Sequence, residues 1–355
     1  DVRYLTFYSL EDEYKKSQHS YCLNEQPKKN KFIKLVYIYK RIRFIKKVCK
    51  AYDPNLVISF GFYSNILVSI SSLARNFKVV LSVRSDIFKQ GFIVRNISRL
   101  LYNKMDLTHV ITKKMNNDLL SMGINNTEHI YNGHDIQSYQ TMANKDLPIS
   151  LSNEKYIYLN IGRLNEAKGQ WHLLKAFSLC VIKDPNLILI IIGEGELERD
   201  LKSLIKLLHL EDKVIMLSNT LNIFPYIKRA NCFCFTSLYE GLPNVLIETL
   251  SVNTPIITSD CISGPREIAF PELNVEEKIS YPYESDGSIL TAPFVSSNID
   301  ISTKINYLEK DYALAMDYMR SNKNTNYDYS GKVDIFSDDL IYEKWDKLIK
   351  KLCGL

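Results

Sequence analysis

Short apolar segments alternate with helical patterns along most of this chain, and this alternation restricts the possible folds most. In the second half, apolar runs at residues 156–161 and 187–192 end directly before Gly162 and Gly193. Each run is followed by a segment whose apolar residues recur at helical spacing. Strands and helices in regular alternation form parallel sheets covered by helices on both faces. The sequence therefore predicts an α/β fold with doubly wound sheets.

The same alternation runs twice, which indicates two domains. At 355 residues the chain is also too long for one typical core. Residues 142–154 are polar and contain a proline, so we place the linker there. We predict one domain over residues 1–148, a second over residues 149–328, and a helical segment over residues 329–355 that packs back on the first. The predicted strands are residues 2–8, 56–60, 78–83, 106–111, 129–131, 156–161, 187–192, 214–217, 232–235 and 255–258.

Composition excludes several classes of protein. No apolar run reaches the length of a membrane-spanning helix, and the chain does not open on a signal-peptide pattern. The seven cysteines are scattered, without the spacing of a zinc site or a redox pair. Scattered thiols are typical of a reducing compartment, so we predict a cytoplasmic protein.

Two glutamates flank a break between a predicted strand and a predicted helix. Glu240 follows the apolar run 232–235, and Glu248 lies in the helix that begins after Gly241 and Pro243. Asn244 is predicted to cap that helix. Because open α/β sheets bind ligands at the carboxyl ends of their strands, both carboxylates can face one crevice.

The start of the same helix adds a second kind of ligand group. The backbone amides of Asn244 and Val245 would point into the crevice, where helix N-terminal amides bind phosphate. Carboxylates accept hydrogen bonds from hydroxyl groups. Carboxylates for hydroxyls beside amides for phosphate indicate a site for a sugar nucleotide.

The run E-G-L-P-N-V-L-I-E at residues 240–248 resembles the signature of the retaining glycosyltransferases of family 4, which have the GT-B fold. Residues 161–169, 192–195 and 259–268 match other motifs of that family in the same order. The resemblance covers roughly residues 50–350 and is strongest in the second half. It implies two Rossmann-like domains that face a cleft, with the acceptor on the N-terminal domain and the donor on the C-terminal one.

The resemblance also implies a role for each matching residue. Arg163 and Lys168 would contact the donor diphosphate. Glu240 would hold a hydroxyl of the transferred sugar, and Glu248 would bind the ribose hydroxyls. Arg84 would take the position near the reacting carbon where many relatives have a histidine. The other implied donor-binding residues are Gly162, Gly193, Gly195, Asn222, Gly241, Leu242, Pro243, Asn244 and Val245.

Charge develops on the diphosphate as it leaves, and the sequence favours arginine, lysine and helix amides over a metal to stabilise it. The adjacent acids Asp338 and Asp339 lie far from the motifs, and no aspartate pair with metal-binding spacing accompanies them. We therefore expect no metal and no cofactor other than the UDP-sugar donor. The resemblance implies that the departing phosphate assists the acceptor hydroxyl. His134 fits a turn residue better than a general base.

Residues 260–268, D-C-I-S-G-P-R-E-I, are similar to a run in bacterial enzymes that extend undecaprenyl-diphosphate-linked oligosaccharides with N-acetylhexosamine or galactose. The resemblance implies a hexosyltransferase for O-antigen, capsule or a related surface glycan. Two alternatives remain open: a nucleotide-sugar epimerase of the same architecture, and a non-catalytic binding protein. The chain opens on what resembles the second strand of the family, so we expect a first domain that is truncated and lacks its first strand; a rearranged sheet is the alternative.

Residues 28–50 (Lys28 to Lys50) form a basic segment with ten lysines and arginines and no acid. Apolar residues recur in it at helical spacing, as in helices that lie on anionic lipid. The predicted partner is an anionic membrane surface, which places the protein on the inner face of the plasma membrane. A packed helix with a solvated basic face is the alternative, and both can hold. No nucleic-acid-binding module accompanies the segment, so no nucleic acid is expected.

Overall fold

The computed structural model describes residues 2–6, 20–23, 31–149, 152, 154–295, 298–322 and 327–355; for residues 20, 22 and 31–35 it describes the backbone alone. The chain divides into two compact units. Unit 1 comprises Asp1–Ile111, Met115–Ile130 and Trp345–Leu355, and unit 2 comprises Thr112–Lys114 and Tyr131–Lys344. Both units contain parallel sheets with helices between the strands, so the predicted α/β class is confirmed.

Unit 1 has a four-stranded parallel sheet with the strand order β3-β4-β5-β6. The strands β1 and β2 form a separate parallel pair. Consecutive strands are neighbours, and a helix follows each of the first three strands of the sheet. The elements are β1 (Tyr4–Thr6), β2 (Ser20–Cys22), α1 (Lys31–Tyr52), β3 (Leu56–Phe60), α2 (Phe62–Ser71), β4 (Lys78–Val83), α3 (Phe92–Tyr102), β5 (Leu107–Val110), α4 (Lys113–Ser121) and β6 (Thr127–His129).

Unit 2 has a seven-stranded sheet with the strand order β12-β13-β11-β10-β7-β8-β9. All neighbouring strands are parallel except β12, which pairs antiparallel with β13. The elements are α5 (Ile136–Ala143), β7 (Tyr156–Ile161), α6 (Gln170–Lys183), β8 (Leu187–Ile192), α7 (Glu198–Leu207), β9 (Val214–Leu217), α8 (Phe224–Arg229), β10 (Cys232–Phe235), α9 (Asn244–Leu250), β11 (Ile256–Ser259), α10 (Pro265–Ala269), β12 (Tyr283–Ser285), β13 (Ser288–Thr291), α11 (Tyr307–Ser321), α12 (Ser330–Val333) and α13 (Asp338–Cys353), the last of which continues into unit 1.

The core of unit 2 lies against both faces of β7, β8 and β10. Every residue of β8 is buried, as expected for a continuous apolar run in a parallel sheet. Cys232 and Cys234 are fully buried in one cluster with Trp171 and Phe177 of α6. The two cysteines therefore pack into one face of the sheet, as their alternation with phenylalanine predicts.

The units divide at Ile130/Tyr131 and Lys344/Trp345, whereas the sequence placed boundaries at residues 148 and 328. The first of these differences comes from α5, a helix that the sequence did not predict. Tyr139 of α5 stacks on Phe224 of α8 with the ring centroids 4.6 Å apart, which ties α5 to unit 2. Residues 7–8 of the first predicted strand and residues 28–30 of the basic segment lie outside the described residues.

Helix α1 covers most of the basic segment, and one of its charges is not where the membrane hypothesis needs it. Lys40, Arg43, Lys46 and Lys47 are exposed, but Arg41 is 7% exposed with its guanidinium over the ring of Tyr63. Arg41 therefore packs within unit 1 and does not belong to the exposed basic face of α1 that the sequence predicts to meet lipid. Within the described part of the chain, no helix is both long enough and apolar enough to cross a bilayer.

Candidate functional site

The strand order of unit 2 creates the crevice in which the predicted donor residues lie. From β7 the chain moves outward through β8 and β9, then returns to the other side of β7 for β10 and moves outward again. Neighbouring strands whose connections run in opposite directions leave a crevice at their carboxyl ends. The loop 162–169 follows β7 and the loop 236–243 follows β10, so the predicted motifs meet at this switch point.

An ion pair joins the two loops directly. Lys168 Nζ lies 2.6 Å from Glu240 Oε1, and both side chains are mostly buried, with 21% and 15% of their surfaces exposed. Ser237 Oγ donates a second hydrogen bond to the same Glu240 oxygen at 2.8 Å. The other carboxylate oxygen, Oε2, has no partner among the described residues and stays available to a ligand. Ser237 was not among the predicted site residues.

Backbone contacts hold the two loops in register. Leu238 N donates to Ala167 O at 2.8 Å, and Thr236 Oγ1 donates to Lys168 O at 3.2 Å. Gly169 has a φ of +60°, and a Cβ atom there would lie 2.4 Å from Thr236 O. Only glycine fits this left-handed position against a neighbouring backbone. The Lys168–Glu240 pair is thus supported by the main chain of both loops.

Arg163 lies at the start of the loop after β7. Its side chain is exposed, and its carbonyl accepts a hydrogen bond from Gln170 Nε2 at 3.2 Å, which fixes the backbone. Within the described ranges, its guanidinium makes no ion pair or side-chain hydrogen bond. A fixed backbone with an unpaired cation at a strand end suits the binding of an anion.

Glu248 is a half-buried carboxylate on α9 with no side-chain partner in the described parts of the chain. Burial raises its pKa above the usual value for a glutamate. Tyr139 lies close to it: burial, and after it the charge of Glu248, raise the pKa of the Tyr139 hydroxyl to about 12. Burying a carboxylate without a hydrogen-bond donor costs stability. Such a group is a common mark of a binding site.

His134 lies next to this pair and remains neutral. It is 4% exposed, and burial lowers its pKa to about 4. Its Nδ1 lies 3.1 Å from the hydroxyl of Tyr139, while its backbone bonds to Phe336 and Asp338. His134 is therefore a buried residue that forms an isolated β-bridge with Ser337 and contacts Tyr139, so the predicted turn is not seen at this position.

One predicted detail of the loops differs in the structure. Asn244 is the first residue of α9, and Pro243 occupies the N-cap without a capping side chain, so the predicted asparagine cap is wrong. The Asn244 side chain instead accepts a hydrogen bond from Asn132 Nδ2 at 3.2 Å. Both ends of the Asn222 side-chain amide have partners within unit 2: Oδ1 accepts from Phe224 N, and Nδ2 donates to Met142 O. A role of Asn222 in donor binding stays a prediction.

Gly193 and Gly195 pack against the chain itself. A Cβ atom on Gly193 would lie 2.0 Å from Gly162 O, and one on Gly195 would lie 2.2 Å from Leu164 O. Hydrogen bonds from Leu164 N to Glu194 O and from Leu197 N to Leu164 O join the same two segments. The close approach that needs these glycines is therefore between two loops of unit 2. A further approach to a nucleotide stays a prediction.

Replacing Gly193 with alanine should lower the free energy of unfolding by about 3 kcal/mol, because the new methyl group overlaps a backbone carbonyl that cannot move away. Urea denaturation of the purified variant would measure the change. Gly331→Ala is the matched control, because a Cβ atom there meets nothing within 4 Å. Equal stability of the two variants would contradict this packing account.

The segment 260–268 packs against the Glu240 loop and makes hydrogen bonds to its backbone. Ser263 Oγ donates to Gly241 O at 2.8 Å, and a Cβ atom on Gly264 would lie 2.3 Å from Pro243 Cδ. Glu240 N also donates to Ile262 O at 3.3 Å. The segment therefore fixes the path of residues 240–243. From the sequence, this segment was interpreted as a family motif and as a mark of the subfamily, and its support of the Glu240 loop was not predicted.

Two charged side chains anchor this segment at its far end. Arg266 pairs with Asp260 and donates to the carbonyls of Asn274 and Glu277. Glu267 is 4% exposed and accepts hydrogen bonds from the backbone amides of Lys113 and Lys114, at 2.7 and 3.0 Å. Burial raises the pKa of Glu267, and these amides act against the rise.

Arg84 lies in unit 1, directly after β4. Its guanidinium lies over the Phe60 ring, and its Nε donates to Ser82 Oγ at 3.4 Å. Ser82 Oγ in turn lies 2.9 Å from Nδ1 of His109, whose Nε2 donates to Ile130 O. Burial lowers the pKa of His109 to about 4, so the ring is neutral and accepts from Ser82. The sequence did not single out His109.

In the parts of the chain that the structure describes, no group of three or more histidine, cysteine, aspartate or glutamate side chains could hold a metal ion. The independence from metal that the sequence predicts is not decided by this observation. It stays a prediction, and a chelator tests it below.

Comparisons with known proteins agree with this architecture. Residues 144–278 match the sequence profile of the family described as "Glycosyl transferases group 1". An uncharacterised glycosyltransferase of Methanocaldococcus jannaschii is 34% identical over 378 aligned residues, which cover 99% of this chain and 92% of the relative. The Anabaena protein HepE, solved in complex with UDP, superposes with a TM-score of 0.69 at 17% identity, covering 94% of this chain and 86% of that chain.

A second relative has a more specific description. The N-acetylgalactosamine-N,N'-diacetylbacillosaminyl-diphospho-undecaprenol 4-alpha-N-acetylgalactosaminyltransferase of Campylobacter jejuni is 35% identical over 172 residues. The aligned region covers 48% of this chain and 45% of the relative. The likeness to HepE shows the GT-B fold, and the full-length match to the archaeal relative shows the family.

Proposed function

This chain belongs to the group 1 glycosyl transferases, and we propose that it transfers a hexose or N-acetylhexosamine from a UDP-sugar to an undecaprenyl-diphosphate-linked glycan. The observation that carries the proposal is the switch-point crevice of unit 2, where cations and carboxylates lie on adjoining loops. The UDP in the HepE structure supports the choice of donor, and the undecaprenol-linked acceptor of the Campylobacter relative supports the choice of acceptor.

The proposed mechanism retains the configuration at the anomeric carbon. The bond from this carbon to the donor phosphate breaks, and the acceptor oxygen forms a new bond on the same face. The acceptor proton passes to the departing phosphate oxygen, so UDP leaves and no protein nucleophile is needed. Arg163 and Lys168 would stabilise the charge that develops on the diphosphate. Lys168 is mostly buried and held by its ion pair with Glu240, so it needs little reorganisation as the bond breaks.

The two glutamates would divide the recognition of the donor. Among the described residues the Glu248 carboxylate has no partner, so it can accept from the ribose hydroxyls, and Glu240 Oε2 has none either, which leaves it for a hydroxyl of the transferred sugar. The amides of Asn244 and Val245, at the start of α9, would add donors for the phosphates. We assign Arg84 to the acceptor side, because it is an exposed cation held at a strand end of unit 1.

A transfer assay with chelator tests the proposal. Purified protein is incubated with bacterial membranes and each of several radiolabelled UDP-sugars, in excess EDTA. We expect one of the UDP-sugars to label the lipid extract. Labelling should persist in EDTA, because Arg163 and Lys168 are proposed to take the place of a metal. The anomeric coupling constant of the product should show retention. Heat-inactivated protein serves as the control.

Each alternative has its own outcome in this assay. Release of free sugar or an epimer without acceptor would indicate a nucleotide-sugar epimerase. Tight UDP binding without turnover of any donor would indicate a binding protein. Activity that requires added Mn²⁺ or Mg²⁺ would contradict the metal-independent mechanism. We also propose that the protein works at the inner face of the plasma membrane, where such a lipid acceptor is presented.

A further inference from the structure

Helix α3 of unit 1 carries an apolar face on the outside of the molecule. Ser98 and Tyr102 point inward and are fully buried. The opposite face, here called the α3 outer face, consists of large apolar side chains with exposed fractions of 43–74%: Phe92 72%, Ile93 74%, Ile97 43% and Leu100 67%. Their spacing places them on one side of the helix. An amphipathic helix normally buries such a face, so its exposure needs an explanation.

Helix α3 and the residues directly next to it in sequence carry only basic charges. Residues 87–105 contain four basic residues, Lys89, Arg95, Arg99 and Lys104, and no acid. The acids on either side have local partners: Asp86 accepts a hydrogen bond from the backbone of Phe88 in the turn before α3, and Asp106 pairs with Arg75. The α3 outer face therefore combines exposed apolar side chains with a basic border.

Further exposed aromatic residues follow the strand ends nearby. Phe88, in the turn before α3, is 43% exposed and has Arg95 over its ring at 5.5 Å. Phe60, at the end of β3, is 54% exposed and lies under Arg84. Apolar surface is thus also present at the carboxyl ends of β3 and β4.

We propose that the α3 outer face docks onto an anionic lipid surface, with its apolar side chains at the boundary between head groups and acyl chains. Helices that combine these two features bind membranes in this way. A second copy of the chain is disfavoured as the occupant, because pairing would bring four basic residues of each copy together. The docking itself does not depend on the proposed transferase activity. Its use, bringing unit 1 to a lipid-linked acceptor, rests on that function.

The helix that inserts into the lipid is α3, whereas the sequence predicted the basic helix α1 at the lipid surface. Helix α1 exposes several lysines and arginines, but Arg41 is buried between them. Among the described residues of α1, the exposed large apolar side chains are Val36 and Tyr39. Its remaining charges can attract lipid from a distance. Attraction of this kind fades at high salt, whereas insertion of apolar side chains does not.

Sedimentation with vesicles of equal parts phosphatidylglycerol and phosphatidylcholine tests the proposal on the full chain. The variant Phe92→Ser/Ile93→Ser/Leu100→Ser should partition about tenfold less or weaker still, because it loses the inserted groups. Arg95→Gln/Lys104→Gln should lose about fivefold per charge on these vesicles, and little on pure phosphatidylcholine. The matched control Ile182→Ser/Leu207→Ser/Leu314→Ser removes exposed apolar residues of unit 2 and should bind like the native protein.

Depth of insertion gives an independent readout. The tryptophan of Phe92→Trp should be quenched by brominated phosphatidylcholine mixed with phosphatidylglycerol, and that of Ile182→Trp should not. Unchanged binding of the triple α3 variant, loss of binding only when Lys40, Arg43, Lys46 and Lys47 become glutamine, or no vesicle binding by the native protein would each overturn the proposal. So would a change of oligomeric state in the triple variant without a change in binding. Donor hydrolysis, measured on the same variants without vesicles, separates failure of docking from failure of the proposed function.

Discussion

Replacing Lys168 with alanine should slow sugar transfer by about a hundredfold or more, the effect of removing one group that stabilises charge in the transition state. The change removes the cation proposed for the diphosphate. It also leaves the mostly buried Glu240 carboxylate without its ion-pair partner at 2.6 Å. Both consequences reduce the stabilisation of the transition state, so the loss of activity should appear mainly as a lower kcat. Steady-state kinetics with the donor identified in the transfer assay would measure it.

Two control variants separate these consequences. Ser237→Ala removes the other hydrogen bond to Glu240 Oε1 but no charge, and it should cost about tenfold or less. Lys202→Ala breaks an exposed pair with Glu198 that has the same 2.6 Å distance and should leave transfer unchanged. A Lys168→Ala enzyme with native kcat would remove Lys168 from the mechanism.

The positions of the site loops were predictable because the strands before them are buried on both faces. The predicted bounds of β7, β8 and β10 agree with the structure, and each strand is a continuous apolar run that ends at a loop. The fold class follows from the same apolar runs. The resemblance to the family rests on the motifs directly after them, which contain glycines and charged residues. Local sequence is sufficient where burial and a chain break coincide.

Contacts between distant segments were not predictable in the same way. Lys168 and Glu240 are 72 residues apart, and they meet only because β10 pairs with β7. The sequence alone does not show which strands are neighbours in the sheet. Helix α5 was also missed, because what holds it in unit 2 is the stacking of Tyr139 on Phe224 rather than a strong periodicity of its own.

Glycines illustrate the same limit. A glycine after a strand fits both a ligand that approaches the backbone and a second loop that does so, and the sequence cannot separate the two. At Gly193 the neighbour is the carbonyl of Gly162. In the segment 260–268, Gly264 serves the path of the Glu240 loop by packing on Pro243. A motif can therefore mark a functional site through residues that only hold the site in place.

Replacing Glu248 with glutamine should weaken UDP binding by about 2 kcal/mol, or roughly thirtyfold in Kd, because the charged acceptor proposed for two ribose hydroxyls is lost. Isothermal titration calorimetry with UDP would measure the change. Glu211→Gln alters an exposed glutamate between α7 and β9 and is the matched control. Native affinity in Glu248→Gln would remove Glu248 from the donor site.

Stability should move in the opposite direction in the same variant. Burial raises the pKa of Glu248 in the folded protein, so the fold binds its proton more tightly than the unfolded chain does. The ionised carboxylate therefore costs stability above its folded pKa, and the cost disappears as the pH falls through that value. At neutral pH Glu248→Gln should unfold at the same temperature as the native protein or at a higher one. The difference should shrink as the pH falls through the folded pKa of Glu248, and it should vanish where the carboxyl is protonated in both the folded and the unfolded chain. Thermal unfolding across this pH range, without ligand, distinguishes a carboxylate kept for binding from one that supports the fold: a lower unfolding temperature at neutral pH would indicate the second.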